Sequence, residues 1–351
     1  MSPERLQQIE ALYNDALNLR SADRSAFLDH ACGADSALRR EVESLLEFER
    51  AETCLDKDAI EFAAESVAAR GNDSLMGRML GRYQLLTLVG RGGIGDVYCA
   101  VDSRLNRLVA VKILPPYMNE SQEWLQRLTQ EARTAAALSH PHICHLYDLG
   151  NDSGISYLVF EYLSGELLSE RLAKGALPLP DALSYAIQMA DALVCAHEQG
   201  IIHCDLKPNN IMLTKSGLKL LDFGIAELRY PEKTAVVSPS AAHRPGTLAY
   251  MAPEQLNGDT PDARTDIFGF GLVTFQMLAG RPAFQGSSEA ILTTSILKDN
   301  PPSVLQFLPQ APPALDLLLS RCLAKDPRER WQSIRDVLFI LNWVASQGRS
   351  A

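Results

Sequence analysis

The sequence predicts an α+β chain of two lobes, a β-rich one preceding an α-rich one, behind a small all-α amino-terminal region. Three observations lead there. From Tyr83 onward, runs at 83–89, 96–102 and 107–114 are rich in Val, Leu and Tyr and separated by turn residues, which is strand patterning. After residue 165 the period turns helical, most clearly where Leu183, Ala186, Ile187, Ala190, Leu193 and Ala196 recur before Gly200. Ahead of both, the first 70 residues carry only helical periodicity and end at the polar breaker Gly71-Asn72-Asp73-Ser74.

Taken in order, residues 1–70 read as a helical domain of unknown role. Leu6, Ile9, Leu12, Tyr13 and Leu17 share one helical face behind Ser2 and Pro3, a good start because proline at the first helical position loses no needed donor. Ser21 can cap a short helix carrying Phe27 and Leu28, and Asp35 a third with Leu38, Val42, Leu45 and Leu46 inward. A fourth helical stretch covers 58–69. Residues 71–80 are the linker, 81–163 the β-rich lobe and 164–346 the α-rich lobe. Within the lobes, a helix is expected at 121–138, strands at 144–149 and 156–161, and helices at 181–199, 265–279, 313–324 and 331–345. Gly280 and Pro282 close the helix at 265–279. Chemistry is expected in the cleft between the lobes.

Bulk properties narrow the function classes. The net charge of −10 disfavours a general affinity for nucleic acid or anionic membrane. The acid is concentrated in residues 1–80, with 16 acidic against nine basic side chains, which suits a solvated face or a partner surface. The seven cysteines form no Cys-x-x-Cys pair and are odd in number, which argues for a reducing, cytoplasmic setting and against a disulfide framework or structural zinc. No apolar run approaches the ~20 residues that span a bilayer.

Four segments carry chemistry. Gly90-Arg91-Gly92-Gly93-Ile94-Gly95-Asp96-Val97 fits G-x-G-x-x-G-x-V; glycines let a hairpin backbone lie close over phosphate oxygens. A dinucleotide fingerprint is disfavoured because a strand, not a helix, follows. Val109-Ala110-Val111-Lys112 places one lysine in an apolar strand, where it can reach phosphates if a carboxylate such as Glu131 on the next helix holds it. Ile202-His203-Cys204-Asp205-Leu206-Lys207-Pro208-Asn209-Asn210-Ile211 concentrates polar groups in one loop. There an aspartate can orient a hydroxyl, a lysine can offset phosphoryl charge, and an asparagine oxygen can coordinate Mg²⁺. Asp222-Phe223-Gly224 follows one short hairpin later and supplies a second hard oxygen ligand.

From about Gly81 to Val344 the chain resembles a eukaryotic-type (Hanks-type) serine/threonine protein kinase of the kind common in bacteria, since these motifs occur in order at the family's spacing. The resemblance implies the bilobal protein kinase fold, ATP as phosphoryl donor, Mg²⁺ (with Mn²⁺ as an alternative) and protein substrates in a signalling role. It implies that Lys112 pairs with Glu131, that Asp205 and Lys207 serve transfer, and that Asn210 and Asp222 hold the metal. ATP would lie against Gly90, Gly92, Gly95, Val97 and Ala110 above and Met212 below. Glu161 and Leu163 would meet the adenine edge, Glu166 the ribose, and Phe160 would occupy the gatekeeper position. Gly246-Thr247-Leu248-Ala249-Tyr250-Met251-Ala252-Pro253-Glu254 resembles the substrate-docking loop, with Glu254 pairing to Arg330 and Asp266 tying the catalytic loop to a buried helix. Lys207 two residues after Asp205, together with Thr247, favours serine/threonine over tyrosine. A nucleotide-binding pseudokinase or scaffold is the rival reading; it needs a lost Lys112, Asp205 or Asp222, and all three are present.

The pattern is broken at Cys204, where most regulated kinases carry an arginine that receives an activation-loop phosphate. Cysteine has neither charge nor a fork of donors, so phosphorylation at Thr234, Ser238 or Ser240 is not expected to assemble the site through this position. The amino-terminal helices are open to three roles: packing on the lobes, pairing with another copy, or binding a regulator.

Overall fold

This computed structural model describes residues 75–92, 95–115, 122–223 and 248–347, together with Phe27, Leu28, Ala31, Cys32, Asp35 and Leu38 nearer the amino terminus. Most of the expected amino-terminal helices, residues 71–74 of the linker and the candidate phosphosites Thr234, Ser238, Ser240 and Thr247 lie outside the described residues, while the last two residues assigned to the linker, Met79 and Leu80, are instead a strand paired with Gln84 and Tyr83. Where the amino-terminal region is described, it agrees with the reading above. The Leu38 N–H donates to Asp35 Oδ1 at 3.0 Å, as a cap should, and Leu28 and Leu38 are buried.

The first lobe is an antiparallel sheet in the order β1-β2-β3-β4-β6-β5. Its strands are β1 (Met79–Leu80), β2 (Tyr83–Gly92), β3 (Gly95–Asp102), β4 (Arg107–Ile113), β5 (Leu146–Asp152) and β6 (Ile155–Glu161). Helix α1 (Gln122–Ala136) joins β4 to β5. Side chains alternate across a pleated strand, so register sorts them by face. Tyr98, Ala100, Val109, Val111, Tyr157 and Val159 make one buried cluster. On the other face Ala110, Leu158 and Phe160 pack with Leu128, Ala132 and Ala135 of α1. Lys112 shares that second face, opposite Val97 on β3 and Leu158 on β6. It is 4% exposed, a lysine held inside by its strand.

The second lobe is mostly helical: α2 (Leu168–Ala173), α3 (Leu179–Glu198), α4 (Pro253–Asn257), α5 (Ala263–Ala279), α6 (Glu289–Lys298), α7 (Pro313–Cys322) and α8 (Ile334–Gln347). Helix α5 is buried almost all round, from Thr265 to Leu278, and forms the lobe's axis. Asp262 caps its start and Gly280, in the left-handed region at φ 69°, closes it where expected. Two differences from the sequence reading have clear causes. The expected strand at 144–149 begins instead at Leu146, because Cys144 N–H donates to Leu220 O of the other lobe at 2.8 Å. The helix expected from 331 begins at Ile334, because Asp326 caps a tight 3₁₀ turn at Pro327–Glu329 just ahead of it. The lobe also contains a three-stranded sheet of β7 (Gly165–Leu167), β8 (Ile211–Thr214) and β9 (Gly217–Leu220), of which only the β8–β9 hairpin was expected. At three residues, β7 is too short to show a period.

Glu254 and Arg330 tie the lobe's base together. Arg330 Nη1 and Nη2 each donate to one Glu254 carboxylate oxygen at 2.7 Å, and Arg330 is 1% exposed. Thr265 Oγ1 donates to the same carboxylate, while Arg330 also donates to the carbonyls of Arg264 and Ala324. Burial pushes the Glu254 carboxyl up, but the bidentate arginine outweighs it and holds the group below the usual glutamate range. A folded-state value below the unfolded one means that the unfolded chain binds more protons in between. The resulting stabilisation is complete above about pH 5 and is lost as pH falls through the depressed value. Glu254→Gln should remove this part of the acid dependence of urea midpoints. Glu254→Ala, which strands the guanidinium, should cost about 3–5 kcal/mol by the same measurement.

Candidate active site

The polar loop between α3 and β8 is built on one buried carboxylate. Asp266, 1% exposed on α5, accepts the N–H of His203 at 2.8 Å through Oδ2 and that of Cys204 at 2.8 Å through Oδ1. His197 Nε2 on α3 lies 2.8 Å from the same Oδ2. Gly269, one turn further along α5, allows the loop this close: a Cβ there would sit 3.2 Å from Leu206 Cβ. His203 in turn reaches Leu221 O at 3.0 Å and meets Phe223 edge to face.

Asp205 emerges from this frame among polar partners. Lys207 Nζ donates to Asp205 Oδ1 at 2.9 Å. Asn210 Nδ2 donates to Asp205 Oδ2 at 2.9 Å and to its carbonyl at 2.8 Å, which turns the amide oxygen of Asn210 away from Asp205. Asn210 O accepts the Leu221 N–H at 2.9 Å, so Asn210 lies beside the chain leading into Asp222. Asp222 takes the left-handed conformation at φ 60°, sparsely populated for a residue with a Cβ. Its Oδ2 accepts from Lys112 Nζ at 2.7 Å, across the cleft between the lobes. Lys112 thus meets Asp222 from 110 residues away, Asn210 meets the Leu221 backbone next to Asp222, and Asn210 and Lys207 both meet Asp205, which brings all five residues to one place.

 Sequence separation is no obstacle here, because β4 carries Lys112, the chain between α3 and β8 carries Asp205, Lys207 and Asn210, and the chain after β9 carries Asp222.

The glycine segment is a hairpin between β2 and β3, with Gly90 opposite Val97 and Gly92 opposite Gly95. A strand follows the glycines, as the phosphate-covering reading requires and the dinucleotide reading does not. Gly95 has φ +125°, and a Cβ there would lie 1.7 Å from the Ile113 carbonyl oxygen, so only glycine fits without moving backbone.

The segment joining the lobes is held on both sides. Glu161 N–H donates to His145 O at 2.9 Å, so of its backbone groups the carbonyl is the one placed to accept from a ligand; the Cys144 thiol approaches it at 3.7 Å. Its carboxylate takes Lys219 Nζ from β9 at 2.8 and 3.1 Å. Burial pushes the thiols of Cys99 and Cys144 up, Cys99 to about 11, so neither is a thiolate at neutral pH. Leu163 follows the joining segment and is half-buried, and Glu166 on β7 pairs with Lys174 Nζ at 2.5 Å, which competes with any ribose contact. Ala110 and Phe160 are register partners on the inner face of the sheet, and Met212 lies on β8. Glu131 is half-buried on α1, on the stripe that carries Leu128, Ala132 and Ala135 towards the sheet. Two residues of this neighbourhood escaped the sequence reading. Val89, 50% exposed just before Gly90, is an apolar side chain left open at the mouth of the hairpin. Lys219 gave only the signal of a charge within an apolar strand, which solvent exposure explains equally well.

The Asn210 amide and the Asp222 carboxylate are hard oxygen donors on neighbouring pieces of chain, joined through the Asn210 O to Leu221 N–H bond, and they fit a magnesium ion, which takes one or two protein ligands and completes its octahedron with phosphate oxygens and water. Among the described residues there is no group of three or more His, Cys, Asp or Glu side chains that could hold a metal by themselves.

A β-lobe with a glycine hairpin and a buried lysine, facing a helical lobe with this loop, defines a phosphoryl-transfer class of fold. The protein kinase domain model matches residues 83–339, and the chain belongs to that family. It is 37% identical over 266 residues to the serine/threonine-protein kinase PrkC of Bacillus subtilis, covering 74% of this chain and 40% of that protein. To PknD of Mycobacterium tuberculosis it is 38% identical over 266 residues, covering 75% and 39% respectively. The chain therefore spans about two fifths of the length of these relatives. The crystal structure of the M. tuberculosis PknI kinase domain superimposes with a TM-score of 0.61 at 28% identity, covering 78% of this chain and all of that one.

Gly95→Ala should lower stability by about 1–3 kcal/mol and raise the KM for ATP, because strain and the clash with Ile113 O act together. Gly90→Ala, with nothing within 4 Å of the new Cβ, should change the thermal midpoint little. Paired melting curves check the contrast.

Proposed function

We propose that the chain is an ATP-dependent protein kinase that phosphorylates serine and threonine hydroxyls on protein substrates. The observation that carries this reading is the contact series from Lys112 through Asp222 and Asn210 to Asp205 and Lys207, which joins both lobes around one cleft. Asp205 is placed to orient the acceptor hydroxyl and take its proton. Lys207, already beside Asp205, offsets charge on the moving phosphoryl group, and its position two residues after Asp205 supports serine/threonine acceptors. Lys112 holds the α- and β-phosphates, and on nucleotide binding Glu131 takes the role of its carboxylate partner. Asn210 and Asp222 would hold Mg²⁺ or Mn²⁺, which when bound neutralises phosphate charge. The protein's part is mainly orientation and electrostatics. The hairpin glycines Gly90, Gly92 and Gly95 cover the phosphates. Val97, Ala110 and Met212 enclose adenine, and the Glu161 carbonyl and Leu163 N–H meet its edge.

No helix among the described residues is long and apolar enough to cross a membrane. A cytoplasmic signalling role, with the amino-terminal helices serving self-association or a regulator, fits the free cysteines among the described residues and the acidic front end.

Asp205→Asn should lower incorporation of labelled phosphate from ATP into a generic protein substrate by about 10²–10⁴-fold, the range of a general base. Equal labelling by both proteins would instead establish the scaffold reading. Because Cys204 provides no phosphate-binding guanidinium, a triple Thr234→Ala, Ser238→Ala, Ser240→Ala variant should keep its rate within about 100-fold, or 2.7 kcal/mol. A larger loss would show that loop phosphorylation builds the site by another route.

A further inference from the structure

We propose that Gln255 is a positioning residue for phosphoryl transfer, acting by holding the peptide plane that leads into Asp205. Cys204, the residue that departs from the usual arginine, has φ +59°, the left-handed region that a side chain with a Cβ seldom adopts. Such a conformation persists where the surroundings over-determine it. The surroundings here are specific. The N–H groups of His203 and Cys204 both go to Asp266. The carbonyl of Cys204 accepts from Gln255 Nε2 at 2.8 Å, and the N–H on the same peptide plane, that of Asp205, donates to His203 O at 2.8 Å. The plane between Cys204 and Asp205 is therefore gripped at both ends, one end by a side chain from α4. Gln255 is itself fixed, because its Oε1 accepts the Ala252 N–H at 2.9 Å at the start of that helix. One amide spans from the docking-loop helix to the backbone of the catalytic loop and uses a different atom at each end.

The consequence concerns geometry at the reacting centre rather than nucleotide binding. Without the Nε2 donor the plane keeps its grip through the Asp205 N–H but loses the one at the Cys204 carbonyl, so the Asp205 carboxylate is held less precisely. Misplacement of about 1 Å at a reacting group is enough for large rate losses. The device also suits a catalytic loop without the arginine: it takes its order from a part of the fold that no phosphate on Thr234, Ser238 or Ser240 is needed to supply.

The inference rests on the role proposed for Asp205, and the experiment separates the two. Gln255→Glu retains an oxygen for the Ala252 N–H but offers the Cys204 carbonyl no donor; Gln255→Met removes both ends at similar volume. Kinase activity of the full chain is measured at saturating and varied ATP, with Asp205→Asn as control and melting curves for every variant. Both Gln255 variants should show kcat reduced about tenfold or more, with the KM for ATP within twofold of wild type. A wild-type kcat in Gln255→Glu would mean that the glutamine only caps α4, and would overturn the proposal. Should Gln255→Glu fail to fold, Gln255→Met decides by the same criterion, a wild-type kcat again overturning it. If Asp205→Asn is fully active, the role of Asp205 itself fails, whatever the Gln255 variants do.

Discussion

The carboxylate of Asp266 is the constraint on which the site depends. A buried, charged oxygen pair must find donors, and α5 surrounds it so closely that few are available. It finds them in two consecutive N–H groups of the loop between α3 and β8 and in His197 of α3. Burying the charge thus fixes the backbone of a loop that has no regular secondary structure over Ile201–Leu206. The position of Asp205 follows from that backbone, and the positions of Lys207 and Asn210 follow from Asp205.

The two lobes meet along a narrow seam with more than one kind of bond. Ile143 and Leu220 form an isolated parallel bridge, reinforced by the Cys144 and Leu220 N–H groups, which donate to Leu220 O and His142 O at 2.8 Å each. Lys219 reaches Glu161, and His140 Nε2 lies 3.1 Å from Asp191 of α3. Backbone pairing sets the direction of the seam, while the ionic contacts, partly exposed, set its tightness more weakly and with dependence on salt. The Lys112–Asp222 pair then crosses the cleft in front of this seam.

Much of this was legible in the sequence, and for identifiable reasons. The β2, β3, β4 and β6 strands, α3 and α5 announce themselves by period and by stop residues such as Gly200 and Gly280. The pairing of Glu254 with Arg330 and the tie from Asp266 were expected from resemblance, and the structure shows both. What escaped depends on contacts between distant segments. Nothing local shows that Lys219 turns towards Glu161, that Cys144 bonds to the other lobe instead of extending β5, or that Gln255 reaches a carbonyl 51 residues away. Lys112 illustrates the limit from the other side: its burial follows from strand alternation, but its choice of Asp222 as partner is a property of how the two lobes face each other.

One stretch of four consecutive residues, Lys219 to Asp222, touches the joining segment, the inter-lobe bridge, the His203 ring and Lys112 in turn. Four residues reach only about 14 Å even when fully extended, and the left-handed turn at Asp222 shortens that, so these four contacts share one short length of chain. Whatever settles beside Glu161 and whatever settles beside Asp222 therefore meet the same short piece of backbone.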